Sequence, residues 1–168
     1  DAEMLRDAGA TSVILGHSER RQGDHETDAI VAAKVGAAWQ RGLATIICIG
    51  ETQAQGRDGN ARAVCGDQLA ASLPDMPAGA RTSIAYEPLW AIGSGTTPTR
   101  DEIIEVLAQR RAARERRGGS GARSVRILYG GWVKPSTARA VLDTPGSDGV
   151  LIGCASLDGT EPNQLAMP

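Results

Sequence analysis

The chain has 168 residues, of which 41% are hydrophobic and 23% charged, and its formal net charge is −2. That is enough for one domain with a sizeable core, and the near-neutral balance gives no general attraction for nucleic acid. No apolar run is long enough to span a bilayer and none has the layout of a secretory leader, so no membrane partner is expected.

The first segment, "AEMLRDAGA", reads as the tail of a helix. "TSVILG" (11–16) follows as a short Val/Ile-rich strand. Just past it, in "GHSERR", stands His17. Ser18 is expected to cap a helical turn that starts at Glu19, and a helix N-terminus disfavours the charged form of a nearby imidazole. A polar-loop histidine is the plainer reading. His25, in "GDHETD", reads as a surface residue ahead of a helix at 26–41, which closes at Gly42.

"LATIICIG" (43–50) is the second strand, followed by a helix at 59–73. Cys48, near the end of that strand, reads as a packing residue, because no base is paired with it in sequence. The three cysteines, Cys48, Cys65 and Cys154, are odd in number and too widely spaced for a zinc motif. A reduced, cytoplasmic setting and no bound metal are expected.

The third strand, "TSIAYE" (82–87), ends in a carboxylate, and "PLWAIGSG" follows it. Glu87 at the tip of an apolar strand can be a general base with a raised pKa, or a structural acid paired with Arg81 or Arg126. The stiff Pro-Leu-Trp and flexible Gly-Ser-Gly resemble a lid that excludes water. A helix at 99–117 ends in the basic cluster "RRAARERR", read as a solvated helix end rather than a nucleic-acid patch. Strands "VRILYG" (125–130) and "DGVLIG" (148–153) flank a helix at 135–143. The glycines of "YGG" and "LIGCAS" let backbone N–H groups approach an anion, though a double glycine is more often a tight turn.

Continuous apolar strands alternating with helices imply a parallel sheet covered on both faces, an α/β fold. Five strands suit a doubly wound sheet or part of a (β/α)8 barrel. The dinucleotide fingerprint is missing after the first strand. The chemistry-bearing residues instead follow the carboxyl ends of several strands, as in barrel enzymes.

"GHSERR", "CIGET", "AYEPLWAIGSG", "ILYGG" and "LIGCASL" occur in the order and spacing of triosephosphate isomerase, and the chain resembles that family over essentially its whole length. The resemblance implies a partial TIM barrel, 1–168 forming a single incomplete domain of strands four to eight. It implies that Glu87 is the general base and that His17 polarises a carbonyl as a neutral electrophile. Gly93 of the lid and the backbone near Trp132, Gly153 and Cys154 would hold the phosphate of a small phosphorylated sugar. Ser18, Glu19, Cys48 and Tyr129 would support the site, without cofactor or metal. The reaction implied interconverts dihydroxyacetone phosphate and glyceraldehyde 3-phosphate in glycolysis and gluconeogenesis. A tetrulose-phosphate isomerase and a non-catalytic remnant are the alternatives.

The sequence departs from the family in several places. A whole barrel takes about 250 residues, so the first three βα units have no counterpart here. The family's lysine and asparagine after the first strand are therefore unmatched. The lysines present are Lys34 and Lys134, neither at that position. The third loop, through which the family forms homodimers, is unmatched too, so a homodimer by that route is not expected of these residues. Trp132 stands where the family has a serine, Pro98 lies at the far hinge of the lid, and Cys154 replaces a glycine. These departures lead to the expectation that the residues given are inactive by themselves.

Overall fold

The computed structural model of the chain describes residues 1–91, 125–131, 133, 135–153 and 156. Within them lie five strands, β1 (Ser12–Leu15), β2 (Ala44–Ile49), β3 (Thr82–Tyr86), β4 (Arg126–Tyr129) and β5 (Gly149–Val150). Six α-helices accompany them: α1 (Ala2–Asp7), α2 (Ser18–Gly23), α3 (Asp28–Gln40), α4 (Gln53–Arg57), α5 (Ala61–Ser72) and α6 (Pro135–Leu142). A 3₁₀ turn covers Leu89–Ala91. The expected helix at 99–117 lies outside the described residues.

Every neighbouring pair of strands is parallel and the sheet order is β1-β2-β3-β4-β5. A doubly wound sheet reverses its strand order at a switch point; this one does not. Sequential parallel order is that of a barrel wall, and it decides between the two architectures the sequence left open. Every strand is shorter than the apolar run that announced it, β5 most of all. β5 covers two residues where 148–153 was expected: Gly149 and Val150 are in register with β4, and Asp148 and Leu151 add one N–H each to the Ile127 and Tyr129 carbonyls. β1 stops at Leu15, since Gly16 turns with φ +70.

The helices form where local chemistry allows them. Thr27 caps α3 by accepting the Ile30 N–H at 3.3 Å. The helix then turns Val31, Val35 and Ala38 inward at helical spacing. Val31 and Val35 pack on Ile47 of β2. α5 buries Cys65 and Leu69 against a second cluster that runs from Ile49 through Ile84 and Tyr86 to Ile127 and Tyr129. Each such aliphatic side chain stabilises the fold by about 1.5–3 kcal/mol on burial. α4 was not expected. Its five residues carry no apolar stripe, and a capping box between Thr52 and Gln55 holds it.

The β1 side is thinly covered. Ile14 remains 49% exposed and α1 buries no residue, leaving Met4 68% exposed.

Candidate active site

All five strands run parallel, so their carboxyl ends share one edge, and the candidate residues meet there. Glu87 follows β3 directly. Its N–H donates to the carbonyl of Ile49 at 2.8 Å, so the strand pairing carries on past Tyr86 and points the carboxylate inward. The residue is only 2% exposed. His17 follows β1 by two residues and lies 3.5 Å from it, Nε2 to Glu87 Oε1. No ion pair joins Glu87 to Arg81 or Arg126 among the described residues. Both arginines lie at the opposite, amino ends of their strands, so the salt-bridge reading of Glu87 falls.

The cap of α2 differs from expectation. His17 itself is the N-cap, and its Nδ1 accepts the Glu19 N–H at 3.4 Å. Ser18 is the first helical residue and is buried; the Glu19 side chain is exposed. An imidazole nitrogen that accepts at Nδ1 carries its proton on Nε2 when neutral, which aims an N–H at Glu87. Burial pushes the Glu87 carboxyl above the ordinary carboxylate range, against the pull of the His17 ring, the Cys48 thiol and the Ser18 N–H. Its second oxygen has no hydrogen-bond partner among the described residues. A carboxylate so placed is a stronger base than one in water.

Cys48 is fully buried, and burial, reinforced by the Glu87 charge, raises its thiol pKa. It is a packed thiol, not a poised thiolate. Tyr129 is also fully buried and stands edge-on to Tyr86, ring centres 6.2 Å apart; its hydroxyl has no partner among the described residues. Gly153 is exposed, and its carbonyl accepts from the Ser156 N–H at 2.9 Å. Gly93, Trp132 and Cys154 lie outside the described residues, as do Pro98 and Lys134. His25 is exposed with φ 54, as a surface residue would be.

A second carboxylate had no assigned role. Glu51, 1% exposed, accepts the Trp90 Nε1–H at 2.9 Å, the Tyr86 hydroxyl at 3.2 Å and the Cys65 thiol at 3.5 Å. It ties the first turn after Glu87 to the sheet. Its place three residues after Cys48 was a usable signal; its partners, on three other elements, were not.

Backbone packing under Glu87 is close. A Cβ on Gly50 would stand 1.7 Å from the Glu87 carbonyl oxygen, and one on Gly130 would stand 2.8 Å from Glu87 Cγ. Gly50→Ala must therefore displace backbone rather than a flexible side chain. The expected cost is about 1–3 kcal/mol of stability, read from denaturant unfolding. An alanine variant as stable as the parent would show that this strand end yields freely.

A sequential parallel sheet with a buried carboxylate facing an imidazole at its carboxyl edge defines a barrel-type fold with an acid–base site. The sequence profile described as Triosephosphate isomerase matches residues 1–167. The chain belongs to the triosephosphate isomerase family. It is 53% identical to the triosephosphate isomerase of Dinoroseobacter shibae over 161 residues, covering 95% of this chain and 65% of that protein. It is 51% identical to that of Xanthobacter flavus over 160 residues, with 95% and 64% covered. The crystal structure of triosephosphate isomerase from Bartonella henselae superposes with a TM-score of 0.89 at 43% identity, over 98% of this chain and 67% of that one. The chain thus spans about 65% of the length of the first of these relatives. Among the described residues, no helix is long and apolar enough to cross a membrane.

Proposed function

We propose that this chain carries the proton-transfer centre of a triosephosphate isomerase. The observation that carries the reading is the contact of Glu87 with His17, a nearly inaccessible carboxylate 3.5 Å from an imidazole nitrogen. In the triosephosphate isomerase family a carboxylate and a neutral imidazole tuned in this way share the proton transfer, and the match assigns those roles to Glu87 and His17. Glu87 takes a proton from the carbon beside the carbonyl of dihydroxyacetone phosphate. The His17 Nε2–H moves from Glu87 to the substrate oxygen and stabilises the enediolate. Glu87, now protonated, returns the proton to the neighbouring carbon, while the proton on the first oxygen passes to the second by way of His17, which gives its Nε2 proton to one oxygen and takes one from the other, and glyceraldehyde 3-phosphate results. Burial supports both halves of the cycle, because it strengthens the base and keeps water from the enediolate.

The phosphate is assigned to the backbone near Gly93, Trp132, Gly153 and Cys154, on the strength of the family match. All three named relatives are triosephosphate isomerases, which favours a triose over a tetrulose phosphate. Cytoplasmic location is part of the same reading, supported by the buried Cys48 thiol. The test is conversion of glyceraldehyde 3-phosphate by the protein as its gene encodes it, with the product measured by a coupled reductase. Conversion no faster than in buffer would overturn the reading.

A further inference from the structure

Leu15, the last residue of β1, pairs with Ile47. Beyond that point β2 has a strand neighbour on one side only. Peptide groups along a strand point alternately to either side. The carbonyls of Ile49 and Glu51 face β3, where they accept the N–H groups of Glu87 at 2.8 Å and Leu89 at 3.0 Å. The N–H and carbonyl of Gly50, between them, face the side that β1 no longer fills. There the Gln68 side chain meets both. Its Oε1 accepts the Gly50 N–H at 2.9 Å and its Nε2 donates to the Gly50 carbonyl at 3.1 Å. One side-chain amide stands in for the missing strand.

The consequence for Glu87 is direct. Gly50 lies hard against the Glu87 carbonyl, and its two neighbours hold the segment from Glu87 to Leu89. Rotation of the Gly50 peptide would therefore move the backbone from which the carboxylate projects. Gln68 resists that rotation from a fixed base, because Cys65 and Leu69 on the same helix are buried in the core. Gln68 itself is only partly buried. Gly50 is buried, so removing the amide costs some stability by leaving its N–H and carbonyl short of partners, and it also releases the constraint.

We propose that Gln68 is a positioning residue for Glu87, clamping the Gly50 peptide so that the base keeps its orientation toward the substrate. The catalytic consequence rests on the function proposed above; the clamp does not. The test compares the parent with Gln68→Leu, which removes both contacts, and Gln68→Glu, which keeps an acceptor and loses the donor. Each is made in the protein as its gene encodes it. Misplacing a base by a fraction of an ångström is expected to lower kcat about tenfold to hundredfold in the leucine variant while KM stays within about twofold. The glutamate variant should fall between. A structural role alone would lower the folded fraction and leave the acidic limb of the pH–rate profile in place; loss of positioning moves that limb.

A second pair of readouts needs no turnover. Carboxyl carbon NMR follows the titration of Glu87, and hydrogen exchange follows the Gly50 amide. In the leucine variant the Glu87 midpoint should shift and the Gly50 amide should lose protection. If the parent fails to isomerise triose phosphate, the functional reading falls, and these two measurements still decide the clamp. An unmoved Glu87 titration with Gly50 protection retained overturns the proposal, as does a fall in kcat matched by loss of folded protein.

Discussion

Replacing Glu87 by glutamine is expected to lower kcat for triose-phosphate isomerisation by about 10²–10⁴-fold, the contribution of a positioned general base. The amide keeps nearly the same shape and can still accept from His17, so the loss reports basicity and not packing. The same variant should be more stable than its parent near neutral pH. Burial lifts the Glu87 pKa in the folded state above its ordinary value of 4.5. The folded protein therefore binds the proton more tightly than the unfolded chain does. Below the ordinary value both states are protonated and the ionised form costs nothing. As pH rises from there through the raised folded value, the parent loses stability, and the penalty is complete above it. Glutamine has no such term. The gap in Tm between variant and parent should be near zero in acid and open as pH rises toward neutrality. A variant less stable than the parent at every pH would show that Glu87 is held by favourable contacts outweighing its burial. Retained isomerase activity would remove it from the mechanism.

These 168 residues, produced with no other sequence, are expected to isomerise triose phosphate at least about 10²-fold more slowly than the same residues supplied with a first-strand lysine unit. That is the cost of losing one electrostatic group at a developing charge. Neither lysine stands at that position in the sequence, and Lys34 on α3 is already paired with the buried Glu26, which precedes that helix. The edge of β1 should compound the loss. Ile14 and Met4 are exposed near the edge of β1 that has no strand neighbour among the described residues, and such edges invite self-association. Activity and sedimentation would be measured on the residues alone. They would then be mixed with a separately made fragment from the amino-terminal third of the Dinoroseobacter shibae relative. Activity should appear on mixing and vanish with Glu87→Gln. Residues that sediment as a monomer and match the mixture in rate would contradict both parts.

Much of the fold was legible because its signals are local. Continuous Val/Ile runs alternating with helical spacing announced parallel strands, and the strands found start and stop within a few residues of those runs. The position of Glu87 at a strand end, and of His17 just past another, could be read in the same way. The cap of α2 could not. Ser18 is the commoner capping type, but the turn after Gly16 places the His17 ring over the helix start. The helix α4 was missed because a capping box holds it, without an apolar stripe to reveal it.

By itself the sequence determined the class of fold, the family, and the residue types at each strand end, since these depend on periodicity and on motifs read in order. The tertiary structure decided what those residues do to one another. His17 and Glu87 are seventy positions apart, and only the parallel register of β1, β2 and β3 brings them to 3.5 Å. Burial then raises the carboxylate's pKa, a property of surroundings drawn from several elements. The partnership of Gln68 with Gly50 exists only because β1 ends before β2 does. The reason is the same in each case: a side chain's face and partner are set by register and strand length, which the neighbouring strand supplies and no local stretch of sequence encodes.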